Sequence, residues 1–385
     1  MGTMSKVALI RCENYHYDNV KQSVKRGLNL LGGPLEFAIP KEKILLKPNL
    51  LSADPPERCC TTHPSVFKAV AEVFLEASIN LTYGDSPGVH KPHTASQKCG
   101  LAQVAKQLNI DLADFVAGKE IFFKEGIQNK KFILANGVLE SDGIISIPKL
   151  KTHGLTGITG CIKNQFGCIP GPLKGEFHVK MPDINDFSRM LADLNSYLKP
   201  RLYIMDGIMA MEGNGPRGGD PKKMSVILFS TDPVALDATV CRMIKLNPKF
   251  VPTIVIGEEA GLGTFYENDI EILGDDLESF IDTSFVVRRE PVKPFKYESS
   301  IRLLRNPLVP KPYIDASKCI KCGLCLDMCP VEPKALFWHK GDKSTPPSYA
   351  YKRCIRCYCC QEICPESAIY LKTPLLRKLF YRPPM

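Results

Sequence analysis

Long hydrophobic runs are missing from this chain of 385 residues. The apolar run Val7–Ile10 is too short for the core of a secretory signal peptide, and no stretch approaches the roughly 18 apolar residues of a membrane-spanning helix. The start also fails the myristoylation pattern, because Lys6 stands where Ser or Thr is required. We therefore expect no transmembrane segment and a location in the reducing cytoplasm.

Motifs for nucleic acids and nucleotides are missing too. The net charge is +9, but the basic residues are scattered and form no stripe interleaved with aromatic residues. The segment GNGPRGG has neither the lysine of a phosphate-binding loop nor the order G-x-G-x-x-G. The sequence thus predicts no nucleic-acid partner, and an anionic small molecule or an acidic protein partner would account for the positive surplus.

Cysteine, in contrast, is abundant, with 16 residues in the chain. In a reducing compartment a dense group of cysteines indicates metal binding rather than disulfides. The pattern C-x2-C-x2-C-x3-C-P occurs twice, beginning at Cys319 and at Cys354, and this run binds [4Fe–4S] clusters in bacterial ferredoxins. A pair of zinc knuckles is the alternative, but zinc sites usually have two C-x2-C pairs separated by a longer spacer.

The spacing also predicts which cysteines share a cluster. Gaps of two residues turn three thiolates of a run toward one cluster, while the fourth cysteine ligates the neighbouring cluster. Cys359 is then a ninth cysteine that we expect to be a spare beside the ligands. The prediction is two [4Fe–4S] clusters, one held by Cys319, Cys322, Cys325 and Cys364 and the other by Cys354, Cys357, Cys360 and Cys329.

Residues 1–290 alternate short β-branched runs with amphipathic segments. Helices are predicted over His63–Ala77 and Asp183–Leu198, where apolar residues recur at helical spacing. The alternation predicts an α/β fold with a mostly parallel sheet covered by helices, followed by a small C-terminal α+β ferredoxin-like domain. The predicted strands are Val7–Arg11, Lys43–Lys47, Asn80–Gly84, Gly143–Pro148, Arg201–Asp206, Ser225–Ser230 and Asp269–Leu273.

The chain is predicted to have four parts. They are the α/β domain (1–290), a proline-rich linker (291–312), the two-cluster domain (313–372) and a basic tail (373–385). The five prolines of the linker favour an extended chain. The tail combines basic and apolar residues, so we expect a helix docked on the protein's own surface, with contact to a membrane surface or to a partner as the alternative.

Polar, glycine-rich loops follow several of the predicted strands. Ligands of open α/β sheets bind beyond the carboxyl ends of the strands, so we expect a site there. The candidates for binding an anionic substrate are Lys47, Asn49, Lys149, Lys151, His153, Lys163 and Asn164. The candidates for moving protons or binding a hard cation are His63, Asp85, Asp206 and Glu212, with Asp232 and Asp237 as further carboxylates.

These residues have structural alternatives. Lys149 and Lys151 alternate along an extended segment, so a solvated strand end would explain both. Asp232 precedes a proline, which is the pattern of an N-cap followed by Pro at the first helical position. Cys161 and Cys168 fit buried, small apolar positions, with a redox pair or an open cluster site as the other interpretations.

Short motifs occur in the order KPNL, TTHP, GDSPG, PKLKTH, GCIKNQFG, MDG, MEGNGP and STDPVALDA. This succession, over about residues 5–280, resembles the uncharacterised family numbered 362 among the domains of unknown function. Members of that family often carry a C-terminal pair of ferredoxin motifs. The resemblance implies an iron–sulfur protein of unsettled activity and supplies no substrate.

Three functions compete at this point. The leading hypothesis is a ferredoxin-dependent oxidoreductase, in which a soluble electron donor or acceptor protein serves the clusters and an anionic organic substrate binds at the carboxyl edge of the sheet. The alternative is a non-enzymatic electron carrier or a cofactor-maturation partner that docks another protein. In the third, the clusters are structural or sense oxygen, and the α/β site performs chemistry without electron transfer.

Overall fold

The computed structural model describes residues 4–171, 173–291 and 309–374. Its strands are β1 (Ser5–Arg11), β2 (Lys43–Pro48), β3 (Asn80–Tyr83), β4 (Asp111–Leu112), β5 (Gly118–Phe122), β6 (Lys131–Ala135), β7 (Gly143–Ile147), β8 (Lys149–His153), β9 (Gly157–Ile158), β10 (Leu202–Glu212), β11 (Asp220–Ser230), β12 (Ile270–Gly274), β13 (Lys311–Ile314), β14 (Leu336–Phe337), β15 (Ser348–Tyr349) and β16 (Ile369–Lys372). Its helices are α1 (Tyr17–Leu30), α2 (Pro64–Glu76), α3 (Pro92–Lys98), α4 (Leu101–Gln107), α5 (Asn136–Leu139), α6 (Gly160–Asn164), α7 (Leu173–Lys180), α8 (Ile184–Leu198), α9 (Pro233–Met243), α10 (Pro252–Glu259), α11 (Leu324–Asp327) and α12 (Cys359–Ile363).

Most strands belong to one sheet with the order β12-β1-β11-β10-β7-β2-β3-β4. Neighbouring strands are parallel except at β11, which runs antiparallel to both β1 and β10. After Pro148 the chain continues from β7 into β8, which pairs with the outer part of β10 and places Lys149 opposite Asp206. The predicted α/β fold with a mostly parallel sheet is confirmed.

Side chains alternate between the two faces of the sheet, so each central strand contributes to two hydrophobic layers. On β10, Tyr203 and Met205 pack with residues of α8 and α9, whereas Ile204 packs with residues of α1 and α2. The two helices predicted from periodicity are α2 and α8. They begin after His63 and Asp183, whose side chains accept a backbone N–H as N-caps.

The hairpin of β10 and β11 is longer than predicted. Strand pairing continues past Gly207 as far as Glu212, opposite Asp220. The predicted strands ended at Asp206 and began at Ser225, because the polar and glycine residues beyond them interrupt the β-branched runs. The extension is stabilised by backbone pairing between the two strands. It also packs Met209 and Met211 against Cys59 and Cys60. Neither feature can be inferred from composition.

Residues 309–374 form the small C-terminal module. Its first and last strands, β13 and β16, pair antiparallel, and β14 pairs with β15. Helices α11 and α12 each begin within one of the cysteine runs. The predicted small ferredoxin-like module of strands and helices is confirmed.

The predicted linker 291–312 and basic tail 373–385 lie largely outside the described residues. The predicted domain boundaries therefore stay predictions. Among the helices of the described ranges, none has the length and apolar character required to cross a membrane.

Candidate iron–sulfur and ligand site

The two cysteine runs fold into loops of the same conformation. Lys321 and Gly323 of the first run have φ angles of 59° and 83°, and Arg356 and Tyr358, at the equivalent positions of the second run, have φ angles of 64° and 63°. Helix α11 begins directly after Gly323, and α12 begins directly after Tyr358. Because non-glycine residues rarely adopt positive φ, the shared pattern indicates that both runs make the same specialised turn.

Two separate cavities are each lined by four cysteines. Burial, followed by the neighbouring Cys364, Cys322 and Cys319, raises the pKa of Cys325 to about 12. Thiols crowded around one cavity lose their protons readily only when a metal centre binds the thiolates. This ligand set fits a [4Fe–4S] cluster. We name Cys319, Cys322, Cys325 and Cys364 the outer cysteine group and Cys329, Cys354, Cys357 and Cys360 the inner cysteine group.

A larger cavity of about 480 Å³ lies between the module and the α/β domain. Its α/β wall comes from the loop after β2, from β8, and from α6 and α7, so it lies at the carboxyl edge of the sheet. Its module wall includes Cys329 of the inner cysteine group, Pro330 and Cys359. The predicted site residues that line it are Asn49, Asp85, Lys151, His153, Lys163 and Asn164.

Lys151 is buried at this cavity and has fixed partners. Its Nζ donates to Asn49 Oδ1 at 2.7 Å and to the Cys60 carbonyl at 2.5 Å, and Asn49 in turn donates to Asn164 Oδ1 at 2.9 Å. Burial lowers the pKa of Lys151 to about 8. The alternative of a solvated strand end is wrong, because Lys149 and Lys151 are each 1% exposed.

Lys163 lines the same cavity but, unlike Lys151, has no hydrogen-bond acceptor among the described residues. Its side chain belongs to α6 and the residue is only 8% exposed, and its Nζ lies 5.7 Å from the centre of the Phe166 ring. Within the described part of the chain, no acceptor lies within hydrogen-bonding distance of this ammonium. An ammonium that faces a cavity without a protein acceptor is available to pair with an anion there.

His153 connects β8 to the module. Its Nε2 lies 2.9 Å from a carboxylate oxygen of Glu362 in α12, while its Nδ1 accepts the backbone N–H of Leu155. Burial, and then the charge of Lys163, lowers the pKa of His153 to about 4. The imidazole is therefore neutral near pH 7, with its proton on Nε2 facing Glu362.

Several lining residues were not predicted from the sequence, among them Glu362 of α12 and the α7 residues Lys174 and His178. Lys174 donates to the carbonyls of Ser86 and Pro87, and burial lowers its pKa to about 8. His178 stacks on Phe187 with ring centres 4.5 Å apart. The signal was present as a lysine and a histidine in a glycine-rich segment next to a recognised motif, but this helix has almost no amphipathic pattern to place them.

The other predicted residues lie away from the cavity. Lys149 pairs with Asp206 at 2.7 Å, and both are buried. Asp206 also accepts from the hydroxyl of Tyr15, whose ring stacks on His63. Two further residues complete the predicted set: Lys47 is buried and pairs with the lining Asp85 at 2.9 Å, and Glu212 accepts the backbone N–H of Val286.

The MEGNGP segment, predicted as part of a ligand site, contacts the module, and its Pro216 lines the cavity. Gln361 of α12 donates to both oxygens of Asn214 and to the Gly215 carbonyl, each at 2.9 Å. Arg217 donates to the Ile363 carbonyl and forms a two-pronged pair with Asp54 at 2.7 and 3.0 Å. These contacts hold the inner cysteine group against the α/β domain.

The remaining candidates have structural roles. Asp232 accepts the N–H of Ala235 and caps α9, as its position before a proline predicts. Asp237 accepts the N–H of Cys161 at 2.7 Å and caps α6, and burial raises its pKa to about 7. Cys161 and Cys168 are fully buried in apolar clusters. Within the described residues, no group of three His, Cys, Asp or Glu side chains is arranged to hold a single metal ion.

The fold and the site define a class of protein in which a ferredoxin-type module is docked on an α/β domain. The chain belongs to the family described as a domain of unknown function (DUF362), whose model matches residues 44–242. Residues 311–365 match a 4Fe-4S dicluster domain. The expected family and the expected [4Fe–4S] chemistry of the module are thereby confirmed.

The chain is also similar to individual proteins. A thylakoid-associated protein of Synechocystis sp. (strain ATCC 27184 / PCC 6803 / Kazusa) is 34% identical over 260 residues, which are 67% of this chain and 80% of that protein. The lactate racemase apoprotein from Thermoanaerobacterium thermosaccharolyticum is 11% identical, with a TM-score of 0.42 over 63% of this chain. A Thermotoga maritima protein is 12% identical, with a TM-score of 0.36 over 58% of this chain. The chain spans 57% of either solved structure, and likenesses of this size carry no conclusion about function.

Proposed function

We propose that this protein is an iron–sulfur oxidoreductase that passes electrons from a soluble carrier through two [4Fe–4S] clusters to an anionic organic substrate. The outer and inner cysteine groups would each hold one cluster. The observation that carries the proposal is the position of the 480 Å³ cavity, whose lining includes both Lys163 and the inner cysteine Cys329. A carrier without a substrate would have no need of a cavity at its inner cluster.

The chemistry required is modest. Bound clusters supply electrons one at a time, and reduction of one double bond consumes two electrons and two protons. The electrons come from the external carrier, which is oxidised. Lys151 and Lys174 face the cavity with pKa values lowered to about 8 by burial, so their Nζ atoms are acids matched to neutral pH. Lys163 supplies the fixed charge that binds the anion.

We also propose a reducing compartment, the cytoplasm, as the location. Cys322 of the outer cysteine group is exposed, and exposed thiolates are the ones most readily oxidised. The thylakoid association of the Synechocystis relative makes a membrane surface facing that compartment the alternative.

A single-turnover experiment tests the proposed function. The anaerobically reconstituted protein is reduced, freed of reductant and mixed with a panel of organic acids, while cluster absorbance and the products are measured. We expect at least one acid to reoxidise the clusters, with two electrons recovered per product molecule. Lys163→Met should slow the reaction, whereas Lys249→Met, at an exposed lysine, should not. Clusters that reduce normally but change no bound acid would refute the proposal.

A further inference from the structure

The charged side chains around the 480 Å³ cavity differ in whether the protein gives them a partner. Among its acids, Asp85 has Lys47 as a partner and Glu176 has Lys180. Glu362 lies 2.9 Å from the neutral imidazole of His153 and also interacts electrostatically with Lys163, and Asp327 lies on the exposed rim. Among its cations, Lys151 and Lys174 donate to oxygen atoms of the protein. Among the lining lysines that the structure describes, Lys163 is the one without a hydrogen-bond acceptor in the protein, and the three lysines Lys151, Lys163 and Lys174 give the cavity a positive surplus over Glu362.

Removing an ammonium from water without giving it a partner is unfavourable. Lys163 is 92% buried, since 8% of its surface is exposed, and it lines the cavity. A carboxylate entering the cavity would form a charge-assisted hydrogen bond that the described part of the folded chain does not itself supply. The first requirement on the ligand is therefore one anionic group.

The second requirement comes from size. A cavity of about 480 Å³ falls within the range of sites that enclose whole organic ligands, and is far larger than an inorganic anion needs. Besides its polar groups, the lining includes Leu50, Phe166, Met328, Pro330 and Ile363. A ligand that fills this space must also bury an apolar body.

The third requirement comes from the aromatic rings at the cavity wall. Phe166 is fixed edge-on against His178 and Phe187, with ring centres 5.8 and 5.3 Å apart. Burial lowers the pKa of His178 to about 4, because it outweighs the raising effect of Glu362 and is aided by the charge of Lys163, so the ring is uncharged. Aromatic faces and edges of this kind favour planar, unsaturated ligands.

We propose that the cavity binds a conjugated organic carboxylate, whose carboxylate pairs with Lys163 Nζ and whose unsaturated body packs against Phe166 and Pro330 beside Cys329. This inference rests on the proposed function and narrows its substrate class. Conjugation also suits the electron source, because electrons delivered one at a time are best accepted by a delocalised system. The reaction reduces one conjugated double bond with two electrons from the external carrier and two protons, and gives the dihydro acid.

Binding experiments on the anaerobic holoprotein test the inference without requiring turnover. The probes are 2-naphthoate, its neutral analogue 2-naphthamide, and inorganic phosphate, each titrated by calorimetry. We expect naphthoate to bind at least about tenfold more tightly than either of the others, because only naphthoate has both the charge and the apolar body. Equal binding of phosphate would show a simple anion site, and equal binding of the amide would show that charge is not recognised. Either result overturns the inference.

Variants assign the charge recognition to one residue. Lys163→Met should weaken naphthoate binding at least about tenfold and leave naphthamide unchanged, Lys163→Arg should restore part of the affinity, and Lys249→Met should change nothing. Loss of naphthoate binding by Lys163→Met with naphthamide binding retained would show that a charge contact is lost and not the fold; loss of both, or of neither, would contradict the inference.

The same measurements separate the ligand class from the proposed function. If naphthoate binds but no bound acid is ever reduced, the ligand class stands and the proposed function fails. If a saturated acid is reduced and naphthoate does not bind, the proposed function stands and the ligand class fails.

Discussion

The outer and inner cysteine groups have the same loop conformation but opposite surroundings. At the outer group, Cys322 is exposed and the adjacent Ile320 is 61% exposed. At the inner group, Cys329, Cys354 and Cys360 are each at most 9% exposed, and Cys329 also lines the ligand cavity. One cysteine pattern therefore yields two different sites, and the difference comes from what the α/β domain covers.

Under the proposed function, this difference would give electron transfer a direction. A protein carrier can approach the outer group, whereas the inner group is reached through the module or from the cavity. Two contacts fix the second cysteine run to the α/β domain: Gln361 donates to Gly215, and Arg217 donates to the Ile363 carbonyl. Gln361 and Ile363 both lie between the last two cysteines of that run. We infer that the outer cluster exchanges electrons with the partner and the inner cluster with the substrate.

The largest expected effect comes from removing one cluster at a time. Cys329→Ser should lower the iron content from about eight to about four atoms per chain and abolish substrate reduction. Cys322→Ser should lose the same amount of iron, but dithionite should still drive substrate reduction because the inner cluster remains. Iron and sulfide assays with paramagnetic resonance, followed by product analysis, measure both effects.

Cys359→Ser is the matched control, since the spare thiol should not be needed for either cluster. If Cys322→Ser and Cys329→Ser behaved alike with dithionite, the two groups would not have separate roles.

The sequence was sufficient for the local parts of this arrangement. The cysteine spacing predicts the two groups because three of the four cysteines of each group lie within one short loop. The periods of α2 and α8 predict those helices because each buries one stripe. The N-cap role of Asp232 followed from the proline after it. These features depend on residues close together in the chain.

The residues that line the cavity, and their partners, could not be predicted in the same way. Lys149, Lys151 and His153 alternate on β8 and so share a face, but the length of the strand gives them different partners. Lys149 meets Asp206 and Lys151 meets Asn49. His153 meets Glu362, more than 200 residues away in the chain. Only the tertiary structure shows that Lys149 is closed in an ion pair while Lys151 and His153 line the cavity.

The affinity of the cavity for an anion should also depend on pH. A lysine is charged below its pKa, and burial lowers the pKa of both Lys151 and Lys174 to about 8. The positive charge of the cavity is therefore complete below this pH and is lost as pH rises through it. The affinity for 2-naphthoate should fall above pH 8 by up to about tenfold per pH unit for each lysine involved.

Calorimetric titrations across this pH range provide the measurement, with neutral 2-naphthamide as the reference. Lys174→Met should flatten part of the profile, and Lys249→Met should leave it unchanged. An affinity for naphthoate that stays constant well above pH 8 would mean that neither lysine contributes charge to binding.

The smallest expected effect is a shift in the reduction potential of the inner cluster alone. The hydroxyl of Tyr349 lies 3.3 Å from Cys360 Sγ, and a ligating thiolate has no proton, so the hydroxyl is the donor. Hydrogen bonds to cluster sulfurs stabilise the more negative, reduced state. Tyr349→Phe should therefore lower the potential of the inner cluster by about 20–60 mV, if the bond contributes about 0.5–1.5 kcal/mol. The potential of the outer cluster should not move.

Tyr351→Phe is the control, because that ring stacks on Tyr349 but its hydroxyl donates to the Pro312 carbonyl. Redox titration followed by paramagnetic resonance distinguishes the cases, and equal shifts in both clusters or in both variants would contradict the assignment of Tyr349 to the inner site.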